Sequence, residues 1–199
     1  YNNSLGTDLT VELPEGHFWE AGSEKAGTGQ VFVPNIPTEE IFTAPKRDGV
    51  NGVICASLPL VLDGNIIENI RFVLKDGKII EAYADTCLDV LKNAISVDDG
   101  ASFLGEVALV PYKSPISDLG ILFYNTLFDE NAACHFAFGD SYPMVKGAAE
   151  MSAKELLDLG LNSSITHEDF MIGTDDLSIV GITHDGKEVP VFINGNFAF

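Results

Sequence analysis

Positive charge is scarce in this chain. Eleven Lys and Arg residues stand against thirty Asp and Glu, leaving a formal net charge of −19. Nucleic acids and anionic membrane surfaces are held by Lys/Arg patches, so neither is an expected partner. The acid surplus suits a soluble protein. It also suits a site for cations or cationic groups, although most of these acids are expected on wet faces. Cysteine is rarer still. Cys55, Cys87 and Cys134 are odd in number, widely spaced and form no C-x-x-C. That excludes a disulfide framework and a zinc ribbon. It points to a reducing compartment, and the cytoplasm is the expectation. No run approaches the ~20 consecutive apolar residues of a membrane-spanning helix. No signal peptide, internal repeat or low-complexity tract is visible. Asn2-Asn3-Ser4 and Asn162-Ser163-Ser164 match the glycosylation pattern, which is common by chance. The chain opens at Tyr1 and passes directly into folded-looking sequence, so it reads as a piece lacking its N-terminal part.

What is present is a core-forming sequence. The apolar fraction is 46% and mean hydropathy is positive, and 199 residues suffice for one large domain. Thr7–Leu13 alternates as a strand does. Residues 34–52 hold three prolines and read as a structured loop. Val53–Leu62, Ile66–Leu74 and Ile79–Ala84 read as a meander, with Lys75-Asp76-Gly77-Lys78 as its hairpin turn. Leu88–Ile95 has helical spacing. Ser152 with Glu155 forms a capping box closed by Gly160. Gly105–Pro111 is a short strand carrying an acid, and Ile121–Phe128 is strongly apolar. Residues 166–173, 177–183 and 189–193 return to strand. The expected class is α+β: a large, mainly antiparallel, curved sheet with a few short helices.

Chemistry concentrates in Leu127–Tyr142, which places Asp129, Glu130, Cys134, His135 and Tyr142 in one window of a chain with four histidines. Divalent metals at hydrolytic sites are held by His nitrogen and carboxylate oxygen. Two-metal sites add a bridging carboxylate. The candidates are Glu39 or Glu40, Glu106, Asp129 or Glu130, His135, and the pair His167 and Asp169, which share a face of an extended run. They suffice for two ions, but they span residues 39–169 and spacing alone does not make them converge. Cys134 beside His135 suggests a dyad. Neighbours in a strand point apart, so Cys134 is read as packing. His17 and His184 are read as structural or exposed.

The segments PNIPTEEIFTAPKRDGVNG, GEVALVP, SPISDLGILFYNTLFDENAACH, AFGDSYP and HEDFMIG, in order from Gly6 to the C-terminal FINGNFAF, resemble the thermophilic-type metallo-aminopeptidases (aminopeptidase T, aminopeptidase S and PepS). Members are about twice this length, and the chain resembles their C-terminal, metal-bearing domain over 1–199, with the N-terminal domain absent. The resemblance implies two divalent ions, zinc or cobalt first and magnesium or manganese next. It implies Glu40 as a metal ligand and Glu106 as the bridging carboxylate. Glu130 and His135 belong to the metal site, Glu130 as ligand, outer partner or general base. His167 and Asp169 supply its second half. Tyr142 is implied as the catalytic phenol, and Glu40 or Glu130 as the proton acceptor. Lys46 stands where the family pattern leads one to expect histidine. Implied partners are peptides with a free N-terminus and a second copy in a homodimer. The competing expectation is a truncated metal-binding or dimerisation domain with no hydrolytic activity of its own.

Overall fold

The computed structural model describes residues 1–199. In chain order the strands are β1 (Asp8–Val11), β2 (Glu20–Ala21), β3 (Glu24–Lys25), β4 (Val31–Phe32), β5 (Ile41–Thr43), β6 (Val50–Cys55), β7 (Leu60–Leu62) and β8 (Asn65–Ile67). They continue as β9 (Arg71–Lys75), β10 (Lys78–Tyr83), β11 (Leu104–Leu109), β12 (His135–Gly139), β13 (His167–Met171), β14 (Ile179–Ile182), β15 (Glu188–Ile193) and β16 (Asn196–Phe197). The α-helices are short: α1 (Leu88–Ala94), α2 (Thr126–Asp129) and α3 (Ala153–Asp158). Every strand pairing is antiparallel. The antiparallel α+β class expected from the sequence is what the chain adopts.

The strands divide among sheets of order β1-β6-β9-β10, β13-β12-β11-β5-β2 and β14-β15-β16, with two small hairpins, β3-β4 and β7-β8. The first two sheets share one core. Phe72 of β9 meets Phe138 and Phe170 edge-on, at centroid separations of 6.2 and 5.3 Å. Leu9, Val50, Ile54, Leu74, Val107, Leu109 and Phe136 complete the contact between them. Rings in such tilted and edge-on pairs stabilise beyond the area they bury.

Several sequence expectations need adjustment. The run Val53–Leu62 is two strands, β6 and β7, and Ile66–Leu74 is also two. In β6–β9 the chain breaks at Pro59 and at Asn69, which has φ +54. The apolar run Ile121–Phe128 is not a core element: Ile121, Tyr124 and Leu127 are exposed, and only its end is helical. The capping box is present at α3, with Ser152 Oγ accepting from Glu155 N at 3.3 Å and the Glu155 carboxylate accepting from Ser152 N at 2.7 Å. α3 packs Leu156 on a small cluster of Ala44, Met144, Val145 and Leu161, which braces the loop after β12. Asn162 is buried and donates to Gly100 O and Gly139 O at 2.9 and 2.5 Å, so it is a structural amide.

Candidate metal centre

Strand alternation assembles the site. Val107 and Leu109 of β11, Phe136 and Phe138 of β12, and Phe170 of β13 enter the core. Their neighbours, Glu106, Ala108, His135, Ala137, Gly139, His167 and Asp169, therefore share the opposite face. The register places Ala137 between Glu106 and Asp169, and Gly139 opposite His167. The floor between the acids and the imidazoles is thus Ala108, Ala137 and Gly139, with nothing larger than a methyl group. Glu40 stands two residues before Phe42 of β5 and joins from that side.

One irregularity makes this possible. Leu104 lies in the core and Glu106 in the site, although residues two apart in a regular strand share a face. The pairing of β11 with β12 shifts between them, a bulge that re-aims Glu106. Gly105 is the extra residue, and a Cβ there would stand 1.9 Å from the Asp140 carbonyl oxygen.

Both site histidines are oriented from behind. His135 Nδ1 donates to Ala133 O at 3.0 Å and His167 Nδ1 to Asp140 O at 2.8 Å. This arrangement turns Nε2 toward the carboxylates, as metal-bound histidines require. His135 Nε2 lies 3.3 Å from Glu40 Oε1 and 3.5 Å from Glu106 Oε1. His167 Nε2 lies 3.6 Å from Glu106 Oε2 and 3.5 Å from Asp169 Oδ1. Two triads result, Glu40–Glu106–His135 and Glu106–His167–Asp169, with Glu106 in both. Donors around a tetrahedral ion at ~2.0–2.2 Å are separated by roughly 3.3–3.6 Å. The four separations match that spacing, so the residues fit divalent ions.

The electrostatics agree. Burial pushes the Glu106 carboxyl up from its ordinary value, against the pull of His135. Burial opposes charge on His135, yet Glu106 and Glu40 hold its imidazole well above the usual range. His167 behaves alike: burial opposes its charge, but Asp169 raises it to about 9. Asp169 is lowered, because His167 and His135 outweigh its own burial. Carboxylates outnumber imidazoles here, and the cluster favours added positive charge.

Glu130 lies outside both triads. Burial, then Asp169, raise its carboxyl to about 8. Asn35 donates to its Oε1 at 2.8 Å. The choice between neighbouring acids resolves in each case. Asp129 is buried and accepts from Phe123 N and Asn125 N at 2.7 and 3.0 Å, which organises the loop before α2. Glu39 is exposed, whereas Glu40 is buried. Tyr142 is 57% exposed at the rim, edge-on to His167 and to Phe42 at 5.6 and 6.1 Å. Cys134 is packed in the core, its thiol bonded to Val110 main chain and pushed up to about 12 by burial. His17 bonds Pro14 O and lies outside the site. Lys46 pairs with Glu12 and Asp48, at 3.0 and 3.5 Å. Sequence reasoning passed over Asn35, Gly105 and Ala137. The one signal each offered was its place in a segment of the family resemblance, Asn35 in PNIPTEEIFTAPKRDGVNG, Gly105 in GEVALVP and Ala137 in AFGDSYP.

Residues 1–197 match the family model described as thermophilic metalloprotease (M29). The chain belongs to this family. It is 52% identical over 195 residues to aminopeptidase AmpS of Bacillus subtilis (strain 168), covering 98% of this chain and 48% of that protein. It is 44% identical to aminopeptidase T of Thermus aquaticus, covering 96% and 47%. The solved wild-type AmpT from Thermus thermophilus superposes with a TM-score of 0.90 at 42% identity, over 98% of this chain and 48% of that one. The M29 chain described here thus spans about half the length of the curated relatives it matches. A 2,5-dihydroxypyridine dioxygenase from Pseudomonas putida KT2440 shares the fold at 17% identity and a TM-score of 0.55, over 81% of this chain. No helix is long and apolar enough to cross a membrane.

Proposed function

We propose that residues 1–199 form the metal-bearing catalytic domain of a two-metal aminopeptidase that removes N-terminal residues from peptides. The observation that carries this reading is Glu106, which offers Oε1 to the His135 triad and Oε2 to the His167 triad. Glu40, Glu106 and His135 would hold one divalent ion, and Glu106, His167 and Asp169 the other. Zinc or cobalt suits such a nitrogen–oxygen set first, magnesium or manganese less well. When bound, divalent ions supply an acidified water and polarise a carbonyl oxygen.

The chain's own groups do the rest. Glu40 belongs to the first triad and is engaged there. Glu130 is free of both triads and takes the proton from the attacking water. Tyr142 donates a hydrogen bond from its phenol to the oxyanion of the tetrahedral carbon. The surplus of carboxylates attracts the substrate's free α-ammonium, which makes the activity an exopeptidase one. The reducing chemistry implied by three free cysteines supports a cytoplasmic protein.

One observation favours a second reading. Leu119, Ile121, Tyr124 and Leu127 are each more than half exposed. Exposed apolar side chains gathered in one stretch of chain suit a segment that is covered in a working assembly, by a second copy in a homodimer or by the remainder of a longer protein. Residues 1–199 alone would then hold metal without turnover. The test measures metal content together with release of the first residue from a free-amine peptide and from its N-acetylated form. Metal with release from the free amine only is expected. Metal without release selects the second reading. A chain whose Glu106→Ala and His135→Ala variants bind metal as the parent does would sink both.

A further inference from the structure

Glu130 sits among like charges. Burial and Asp169 raise its carboxyl, His135 draws it down, and Glu40 and Glu106 add to the rise. Its one side-chain hydrogen-bond donor is Asn35, which gives one amide proton to Glu130 Oε1 at 2.8 Å and the other to Leu127 O at 2.7 Å. Two acceptors in front of the amide dictate its orientation, because a flipped amide would set oxygen against oxygen. Its own Oδ1 is buried without a partner. A buried acceptor left unpaired costs stability, and the side chain is held there in spite of it. Pro34 and Pro37 flank it closely and limit the backbone's freedom. The same segment runs on to Glu40 in the first triad. One amide therefore ties the segment carrying Glu40 to the carboxyl of Glu130.

We infer that Asn35 is a positioning residue of the metal centre, whose amide holds the Glu130 carboxyl in place beside the two triads. The inference rests on the reading of Glu130 as proton acceptor. It assigns Asn35 no contact with metal or substrate. Without the amide, Glu130 turns away from Asp169 toward water, and the proton acceptor is lost while the ligand set stays whole.

The experiment compares Asn35→Leu, similar in size but without donors, with Asn35→Gln, which keeps an amide. In the zinc-loaded full chain, Asn35→Leu is expected to retain the parent's metal content, lower kcat by about ten- to a hundredfold and leave KM within about threefold. Asn35→Gln recovers part of that kcat. The readout independent of activity is urea unfolding of the metal-free chain. The midpoint shift caused by Asn35→Leu is expected to shrink at least by about half in a Glu130→Ala background, where the shared contact is already gone. Equal shifts in the two backgrounds would overturn the inference. So would loss of metal from Asn35→Leu, or coupling without a fall in kcat in a chain that turns over. A parent chain with neither metal nor turnover would instead refute the hydrolytic reading, while the unfolding comparison still decides whether Asn35 acts through Glu130.

Discussion

Gly105 lies directly against the carbonyl of Asp140: a Cβ at Gly105 would stand 1.9 Å from that oxygen. The same oxygen accepts the Nδ1 proton of His167 at 2.8 Å. A methyl group at Gly105 therefore displaces the group that aims a histidine it never touches. Gly105→Ala is expected to cost about 1–3 kcal/mol of stability through overpacking. It is also expected to weaken metal retention at the His167 triad before the His135 triad. Urea unfolding and metal analysis during stepwise chelation check both.

Glu106 and Asp169 separate the two proposed ion positions. Glu106 belongs to both triads and Asp169 to one. Glu106→Gln is expected to strip both positions, whereas Asp169→Asn leaves the Glu40–His135 side loaded. Metal stoichiometry after gel filtration distinguishes them. Equal losses from the two variants would contradict the shared role of Glu106.

Tyr142 stands at the rim and belongs to neither triad. Tyr142→Phe keeps the ring stacked edge-on to His167 and removes only the hydroxyl. Metal content is expected to stay at the parent value while kcat falls by roughly 10²–10³, the usual loss for one oxyanion donor. An unchanged kcat would remove Tyr142 from the chemistry.

Asp98 fastens the turn that enters β13. Its carboxylate accepts from Ile165 N at 2.7 Å, and from Ser164 Oγ and Ala101 N at 2.8 Å each. The Ile165 and Ser164 hydrogen bonds hold its carboxyl below the ordinary carboxylate value. A depressed folded value means that its contribution is present above the unfolded value of about 3.9. That contribution is lost as pH falls through the lower folded value. Asp98→Asn is thus expected to unfold at lower urea than the parent at pH 7. The gap should close as pH falls through the lowered folded value of Asp98, below which both chains lack that charge.

What could be read in advance was chemistry that repeats with the backbone. His167 and Asp169 alternate along one strand, so their common face was legible from spacing. The capping box of α3 needs only Ser152 and Glu155. Cys134 could be set aside because its neighbour His135 had to face the other way. Illegible were the features made by contact between distant segments. The bulge at Gly105 depends on Asp140, 35 positions later. Asp129 and Glu130 are chemically alike, and only the amides of Phe123 and Asn125 claim the first. The apolar run Ile121–Phe128 resembles core by composition, yet much of it lies on the surface. Nothing in an asparagine between two prolines announces a carboxyl 95 residues away.

The row Glu106, Ala137, Asp169 crosses three neighbouring strands. Ala137 is fully buried, lends no donor atom and separates Glu106, common to both triads, from Asp169 of the second. Its tolerance to change is therefore governed by ions and not by hydrophobic packing. In a mutational scan scored for folding, Ala137→Val would pass with a modest penalty. Scored for bound metal, it would rank with the ligands themselves, and position 137 would stand out as the place where the two scores part.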